Sequence, residues 1–144
     1  RDIAAYIRRL RPDYVFTVDP WLPYEAHQDH ILTGRAVAEA AILYHLPRFK
    51  TLPEVDAAYQ LHVLRGVVFY LTHAPNIFYD ISSTVEIKHH ALQTYCMQFT
   101  DMDMRALLEK LTKTERQCGE RGGVERAEAL KVLDPAQLHI HLNV

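Results

Sequence analysis

The residues best suited to chemistry in this chain lie in one short segment, Tyr24-Glu25-Ala26-His27-Gln28-Asp29-His30. Two histidines flank an aspartate at the point where a proline-bounded loop gives way to a helical pattern. A neutral imidazole is a good zinc ligand, and its second ring nitrogen needs a carboxylate or a carbonyl that fixes the tautomer. Asp29 lies between the two histidines and is placed to orient either one. The segment therefore predicts a metal site or an acid–base site.

The helix that follows decides how the two histidines are placed. If it begins near Asp29, then His30 lies in its first turn and His27 lies just outside it, so both rings can face one cavity. The positive end of the helix also favours an anionic substrate or intermediate. Spacing alone leaves a simpler interpretation open, because His-x-Asp-His arises by chance and histidines at helix starts are often only exposed or capped. Two histidines are also too few for a catalytic zinc, which takes three protein ligands and a water.

Strands that alternate with helices must position this segment. Three short strands are predicted from apolar, β-branched and aromatic runs between turn residues: Tyr14–Val18, Gly66–Leu71 and Phe78–Ile81. Helices are predicted over residues 1–10 with Ile3, Ile7 and Leu10 on one face, over 30–44, from the capping box Ser83-Thr84-Val85-Glu86 to about Gln98, and from Asp101 to 119–123. One helical turn is expected around Glu54–Tyr59, 124–133 fit strand or helix, and 138–144 alternate as in an edge strand. This order predicts an α/β domain with a largely parallel sheet, in which the loop Asp19–Asp29 follows a strand end where sites are built.

Composition sets wide bounds on function. With 144 residues, 49% apolar and 24% charged, the chain fits one globular domain. Its net charge of −2 and scattered basic residues indicate neither nucleic acid nor a membrane surface as a partner, and no apolar stretch is long enough to span a membrane. Cys96 and Cys118 fit reduced thiols in a cytoplasmic protein. Because Arg1 already lies within a helical pattern, we expect residue 1 to be an internal position of a longer protein.

The residues around the histidine pair resemble the LmbE-like/PIG-L family of zinc-dependent N-acetylglucosaminyl deacetylases. The likeness rests on collinear segments across most of the chain: Arg11–Thr17, Asp19-Pro20, His27-Gln28-Asp29-His30, Gly34 with its Ala-rich helix, Phe78–Ser82, Lys88, Ala91, Gln98-Phe99 and Ala127-Glu128-Ala129. The resemblance implies a Rossmann-like fold whose largely parallel sheet is flanked by helices. It also implies that residues 1–144 are the C-terminal part of a single domain whose N-terminal strand or strands are missing from this chain.

The resemblance implies a separate role for each residue of the pair. His30 would be the third ligand of one zinc ion, and His27 would stabilise the oxyanion or protonate the leaving amine, with Asp29 as its carboxylate partner. The family's other ligands, a His and an Asp, and its general-base Asp belong to an Ala-His-Pro-Asp-Asp-Glu motif that residues 1–144 do not contain. These groups are expected upstream of Arg1.

The chain departs from the family pattern in two places. Gln28 replaces the usual proline, and Met97-Gln98 stands where Ser-Gln is common, but neither change removes a group that the mechanism needs. Tyr24 has two interpretations, since it would either contact the tetrahedral intermediate as a substrate-binding residue or pack on its own domain.

The function implied by the resemblance is hydrolysis of an N-acetyl group from an N-acetylglucosamine-type sugar or conjugate, by a cytoplasmic, homo-oligomeric enzyme completed by the missing N-terminal segment. The alternative is a non-catalytic or assembly-only homologue whose His-x-Asp-His loop is structural. His89-His90 are predicted to be a solvated pair, because adjacent helical residues do not share a face. No role follows from the sequence for His73, Arg65, His139 and His141.

Overall fold

A computed structural model describes residues 1–95, 97 and 100–139 of the chain, with the side chains of residues 101 and 102 left aside. The described residues divide into two compact units, of which the first comprises 1–75 with 130–139 and the second lies within 76–129. The expectation that residues 1–144 form part of one domain stays a prediction.

The chain alternates helices and strands in nearly the predicted order. The elements are α1 (Asp2–Leu10), β1 (Tyr14–Val18), α2 (Gln28–Leu43), α3 (Pro53–Ala58), β2 (Gly66–Tyr70), β3 (Ile77–Asp80), α4 (Val85–Gln93), α5 (Asp101–Gly122), β4 (Ala127–Leu133) and a 3-10 turn (Pro135–Leu138). The strand order is β1-β2-β4-β3. The α/β class with a sheet flanked by helices is therefore confirmed.

The sheet is mixed, so the expectation of a largely parallel sheet needs correction. β1 and β2 run parallel, with Tyr14 opposite Gly66 and Val18 opposite Tyr70. β4 runs antiparallel to β2, with Leu133 opposite Val67. The sequence left residues 124–133 open as strand or helix, so the expectation of a largely parallel sheet rested on the other strands and did not include the antiparallel β4.

The core of the first unit forms where small residues of α2 let that helix pack closely on β1 and α1. Its buried members are Ala4, Ile7, Val37, Ala38, Ala40, Ala41, Tyr44, Leu64, Val67, Phe69 and Leu133. Alanines remove little surface each, but they bring the helix backbone near the sheet, where the larger Val67 and Phe69 are completely buried. Apolar burial of this kind stabilises the fold by about 25 cal/mol per Å².

Gly34 lies at the closest approach between α2 and the end of β1. A Cβ atom at residue 34 would lie 2.5 Å from the carbonyl oxygen of Val18 and 2.8 Å from Cδ of Pro20. No real Cβ tolerates such a contact, so a side chain here would push the first turns of α2 away from the strand end. The absence of a side chain at residue 34 therefore fixes where α2 begins relative to β1.

A buried arginine secures the opposite end of α2. Nε of Arg8 donates to the carbonyl oxygen of Tyr44 at 2.7 Å, and Nη2 donates to that of Leu46 at 3.0 Å. Its guanidinium also pairs with Asp56 of α3. Hydrogen bonds from Thr51, followed by the charge of Arg8, hold the pKa of the Asp56 carboxyl below its usual value. These bonds satisfy orphan carbonyls at the helix end and compensate the buried charge.

The second unit contains a cluster of five charged or titratable side chains that we call the buried network: Lys88, His89, Glu115, Arg126 and Glu128. At its centre is Glu115, which is 3% exposed. Its carboxylate accepts hydrogen bonds from Nζ of Lys88 at 2.9 Å and from Nε2 of His89 at 3.0 Å, and Nη1 of Arg126 lies 3.7 Å away. Lys88 also pairs with Glu128 at 2.6 Å. The expectation that His89 is solvated is wrong, because α5 presents a carboxylate to it.

Several predicted burials and boundaries also differ. Tyr14 and Phe16 of β1 are exposed, Phe16 to 63%, although the strand was expected to be buried, and Leu10 of α1 is exposed too. Tyr14 and Phe16 are two residues apart and therefore share one face of β1, which no described element covers, and β1 is also the last strand in the order.

Helix starts and the chain end account for the other differences. α2 begins at Gln28 instead of His30, and α4 begins after Thr84 without a side-chain cap, so the expected capping box does not form. α4 ends at Gln93, while the expected end at Gln98 lies outside the described residues. Residues 127–133, which fitted strand or helix, form β4. Leu138 belongs to the 3-10 turn and not to an edge strand, and residues 140–144 of that alternation lie outside the described residues.

Candidate metal and acid–base site

The loop of residues 19–27 is anchored where β1 and β2 end side by side. The backbone N–H of Asp19 donates to the carbonyl oxygen of Tyr70 at 3.0 Å, and the buried Asp19 carboxylate accepts from the N–H of Trp21 at 2.9 Å. The Trp21 ring then packs edge to face on Phe69, with the centroids 5.5 Å apart. The loop therefore leaves the sheet at a defined point and in a defined direction.

Tyr24 turns the loop back towards α2. Its φ is +66°, in the left-handed region that bulky residues rarely adopt, and its side chain is fully exposed. Backbone strain of this kind costs about 1–3 kcal/mol and is frequent at functional sites. Packing of Tyr24 on its own unit, one of the two interpretations of this residue, is contradicted by the exposure. Its role in substrate binding stays a prediction.

Beyond this turn, four side chains form what we call the loop cluster: Glu25, His27, Asp29 and His30. The rings of His27 and His30 are stacked, with centroids 4.4 Å apart and planes 16° from parallel. His27 is the N-cap residue of α2, and its carbonyl accepts from the backbone N–H groups of His30 and Ile31. His30 thus lies in the first helical turn and His27 just before it, as the spacing predicted.

Glu25 is the member of the loop cluster that the motif did not indicate. Its Oε2 lies 2.9 Å from Nδ1 of His30, and its Oε1 accepts from the backbone N–H of His27 at 2.8 Å. The hydrogen bond to His30, followed by that from His27, lowers the pKa of the Glu25 carboxyl below its usual value. Glu25 is therefore ionised at neutral pH. The sequence carries no signal for this contact, because a separation of five residues across a loop fixes no distance between two side chains.

Asp29 occupies a different position from the one its place in the motif suggests. Its Oδ2 lies 4.0 Å from Nδ1 of His27, which is beyond hydrogen-bond distance, and its side chain is 87% exposed. A carboxylate in the first turn of a helix is favoured by the helix dipole without any other partner. The predicted pairing of Asp29 with His27 as a catalytic unit stays a prediction.

The donor set of the loop cluster fits one position of a zinc site. His30 is 43% exposed, and its Nδ1 is engaged by Glu25, which leaves Nε2 for a ligand bond. Among the residues that the structure describes, no three His, Cys, Asp or Glu side chains lie close enough together to hold a metal ion. A catalytic zinc needs three protein ligands, so these residues supply only part of such a site.

No hydrogen bond or ion pair between described residues links the other histidines and arginines considered in the sequence to the loop cluster. Arg65 forms an exposed ion pair with Asp13, with Nε and Oδ1 3.1 Å apart, and His73 is exposed. His139 lies beside an apolar cavity of about 550 Å³ at the other end of α2, near Tyr44 and Leu64. His141 lies outside the described residues. No helix in the described part of the chain is both long and apolar enough to cross a membrane.

Comparison with known proteins tests the resemblance to the LmbE-like/PIG-L family. A protein-family model described as PIG-L, GlcNAc-PI de-N-acetylase, matches residues 1–41. A diacetylchitobiose deacetylase from Thermococcus kodakarensis is 37% identical over 141 residues, which are 97% of this chain and 52% of that protein. The chain thus spans about half the length of the curated relative that it matches.

Solved structures agree with this match. An N,N'-diacetylchitobiose deacetylase from Pyrococcus horikoshii, in complex with its inhibitor MPG, superposes with a TM-score of 0.85 at 30% identity, over 99% of this chain and 54% of that one. A 4-carboxy-2-hydroxymuconate hydratase from Pseudomonas putida KT2440 has a TM-score of 0.69 at 21% identity, over 99% of this chain and 60% of its own, and shows the shared fold only. The family match and the closer relatives confirm the resemblance of this chain to the LmbE-like/PIG-L family.

Proposed function

We propose that this chain forms part of a zinc-dependent hydrolase that removes an N-acetyl group from an N-acetylglucosamine-type sugar or conjugate. The relatives that match nearly all of the chain are named as deacetylases of diacetylchitobiose, an amino sugar. The observation that carries the proposal is the arrangement of the loop cluster. One imidazole is bonded to a carboxylate and presents its other nitrogen, and a second imidazole is stacked on it at the start of a helix.

In this proposal each histidine has its own task. His30 binds the metal through Nε2, with its ring held by the bond at Nδ1. A bound zinc would polarise the acetamide carbonyl and lower the pKa of a water to about 7. His27 donates a hydrogen bond to the oxygen that becomes negative as the carbonyl is attacked, or gives a proton to the leaving amine. Cleavage of the amide C–N bond by water yields acetate and the free amino sugar.

The proposal includes groups outside the described residues. Two further zinc ligands and a general base are needed, and we expect them in the segment of a longer protein that precedes Arg1. The open side of β1, with the exposed Tyr14 and Phe16, offers that segment or a second copy of the chain a place to pack. A cytoplasmic setting belongs to the same proposal, and the buried free thiol of Cys118 is compatible with it.

The test is a pair of substitutions in the complete protein. His30→Ala should abolish stoichiometric zinc binding and activity together. His27→Ala should keep zinc and lower kcat by about 10²–10³, the usual cost of losing one group that stabilises a developing oxyanion. Metal analysis by mass spectrometry and deacetylase assays on a panel of N-acetylglucosamine conjugates give both readouts.

A matched control is His45→Ala, which removes an exposed imidazole just beyond the opposite end of α2 and should leave zinc content and kcat unchanged. Normal turnover in His27→Ala would contradict the role given to His27. Full zinc content in His30→Ala would contradict the metal site. Loss of neither property in either variant would favour the non-catalytic alternative.

A further inference from the structure

Glu25 differs from the other exposed-loop residues in how firmly it is held. Its side chain is only 15% exposed, although the preceding Tyr24 is fully exposed and Asp29 is 87% exposed. Both carboxylate oxygens are engaged, one by Nδ1 of His30 at 2.9 Å and one by the backbone N–H of His27 at 2.8 Å. A side chain that only faced water would not be fixed at both oxygens.

The bond to Nδ1 determines which form of His30 is present. A neutral imidazole carries one proton, and an ionised carboxylate can only accept a hydrogen bond. In the neutral form of His30 the proton therefore lies on Nδ1, and the lone pair on Nε2 is free. This is the tautomer in which Nε2 acts as a metal ligand, and a carboxylate on the opposite nitrogen fixes the ring and makes the ligand more basic.

Asp29, the carboxylate inside the motif, is not placed to do this for His30. Its closest described histidine contact is Nδ1 of His27 at 4.0 Å. The carboxylate that reaches His30 is that of Glu25, five residues earlier in the chain, and it also accepts from the backbone N–H of His27, the N-cap residue of α2. One side chain thus holds the imidazole ring and the residue at which α2 begins.

We propose that Glu25 is the positioning residue of His30, which selects the Nδ1-protonated tautomer and holds the ring in the orientation that binds the metal through Nε2. The proposal rests on the proposed function, in which His30 is the zinc ligand. Glu25 touches neither substrate nor metal in this role, and it acts only through His30.

The experiment uses Glu25→Gln in the complete protein, because glutamine keeps the size of the side chain but cannot accept hydrogen bonds with both terminal atoms. We expect the Kd for zinc, measured by competition with a chelator, to rise about 10–100-fold, as for other carboxylate partners of metal-binding histidines. In the metal-free protein, ¹⁵N NMR of His30 should report a proton on Nδ1 in the wild type and a mixture of tautomers in the variant. Glu39→Gln, which removes the same charge from an exposed position of α2, should change neither property.

The outcomes separate this proposal from the function on which it rests. An unchanged zinc Kd in Glu25→Gln, beside tight binding in the wild type, would overturn the role of Glu25 and leave His30 as the ligand. Failure of the wild-type protein to bind zinc would overturn the proposed function and the positioning role with it. If Glu25→Gln does not fold, the wild-type NMR measurement still decides, because a proton on Nε2 of metal-free His30 contradicts the proposal.

Discussion

The loop cluster and the buried network contain the same pair of groups, a glutamate bonded to a histidine, in opposite surroundings. In the loop cluster, Glu25 holds one nitrogen of a half-exposed His30, and its second bond goes to the backbone. In the buried network, Glu115 is almost fully buried and is also bonded to Lys88. Lys88 and Arg126 neutralise the carboxylate of Glu115. The carboxylate of Glu25 has no such cation among the described residues and instead holds the imidazole of His30. The pair itself therefore predicts no function until exposure and further partners are known.

The largest effect expected from this comparison is on the stability of the second unit. Glu115→Ala removes the centre of the buried network and leaves Lys88 and Arg126 without their shared carboxylate, so we expect the free energy of unfolding to fall by about 3–5 kcal/mol. His30→Ala, at a half-exposed position with one carboxylate partner, should lower it by only about 0.5–1.5 kcal/mol, the net contribution of one hydrogen bond. Urea denaturation of both variants measures the contrast.

The control for this prediction is Glu120→Ala, which removes an exposed carboxylate from the same helix and should have little effect. Equal destabilisation by Glu115→Ala and His30→Ala would mean that the two clusters are not of different kinds.

An effect of intermediate size should show whether the close backbone contact at Gly34 positions the two histidines at the start of α2. Gly34→Ala puts a Cβ 2.5 Å from the Val18 carbonyl oxygen, and we expect it to cost about 1–3 kcal/mol and to displace the start of α2 with both histidines. Helix propensity alone predicts the opposite sign, a gain of about 1 kcal/mol. Thermal denaturation gives the sign, and zinc affinity reports the displacement.

Arg35→Ala serves as the control here, since it alters the next residue on an exposed part of α2 and should leave zinc affinity unchanged. A more stable Gly34→Ala protein with unchanged zinc affinity would show that the close approach does not position the site.

The smallest expected effect concerns His62, which, unlike His30 and His89, has no carboxylate of a described residue bonded to its ring. Both of its ring nitrogens are buried, and no described residue bonds to them. Burial, helped by the charge of Arg11, lowers the pKa of His62 below its usual value of 6.5. The unfolded chain therefore binds the proton more readily, and stability should decline as the pH falls from above 6.5 through the lower folded pKa.

Unfolding in urea at pH 7.5 and pH 5.5 measures this decline. His62→Phe should reduce the difference between the two pH values, whereas His73→Phe, at an exposed histidine, should retain it. A pH dependence identical in all three proteins would exclude His62 as its source.

The fold could be predicted from the sequence where local pattern and burial agree. The run Tyr14–Val18, bounded by turn residues, gave the limits of β1 correctly, but not its exposure, which depends on what lies beside the strand. The antiparallel β4 was not predicted because the pattern of residues 124–133 fits a strand and a helix equally well, and a pattern of apolar residues carries no strand direction. The capping box predicted at Ser83 does not form, because α4 begins after Thr84, whose side chain makes no cap bond.

In the loop cluster, too, the sequence predicted local geometry and did not predict contacts that depend on the path of a loop. Spacing placed His27 and His30 at the start of a helix, and helix geometry then brings their rings together. Glu25 could not be found by spacing, because its contact with His30 depends on the path of the loop, including the left-handed turn at Tyr24. Contacts within a helix follow from periodicity, and contacts across a loop do not.

The contact of Gly34 with the end of β1 also has an entropic consequence. The chain leaves the sheet after Val18 and returns at residue 34 to touch that same residue, so the intervening segment is a closed loop whose two ends are pinned by the scaffold. The entropic cost of ordering this segment comes mainly from bringing its two ends together. Each doubling of the length of a closed loop adds only about 0.6 kcal/mol to that cost. An insertion within residues 20–23 would therefore add little to the cost of closure and leave His27 and His30 in place, provided that the turn at Tyr24 still carries Glu25 to His30.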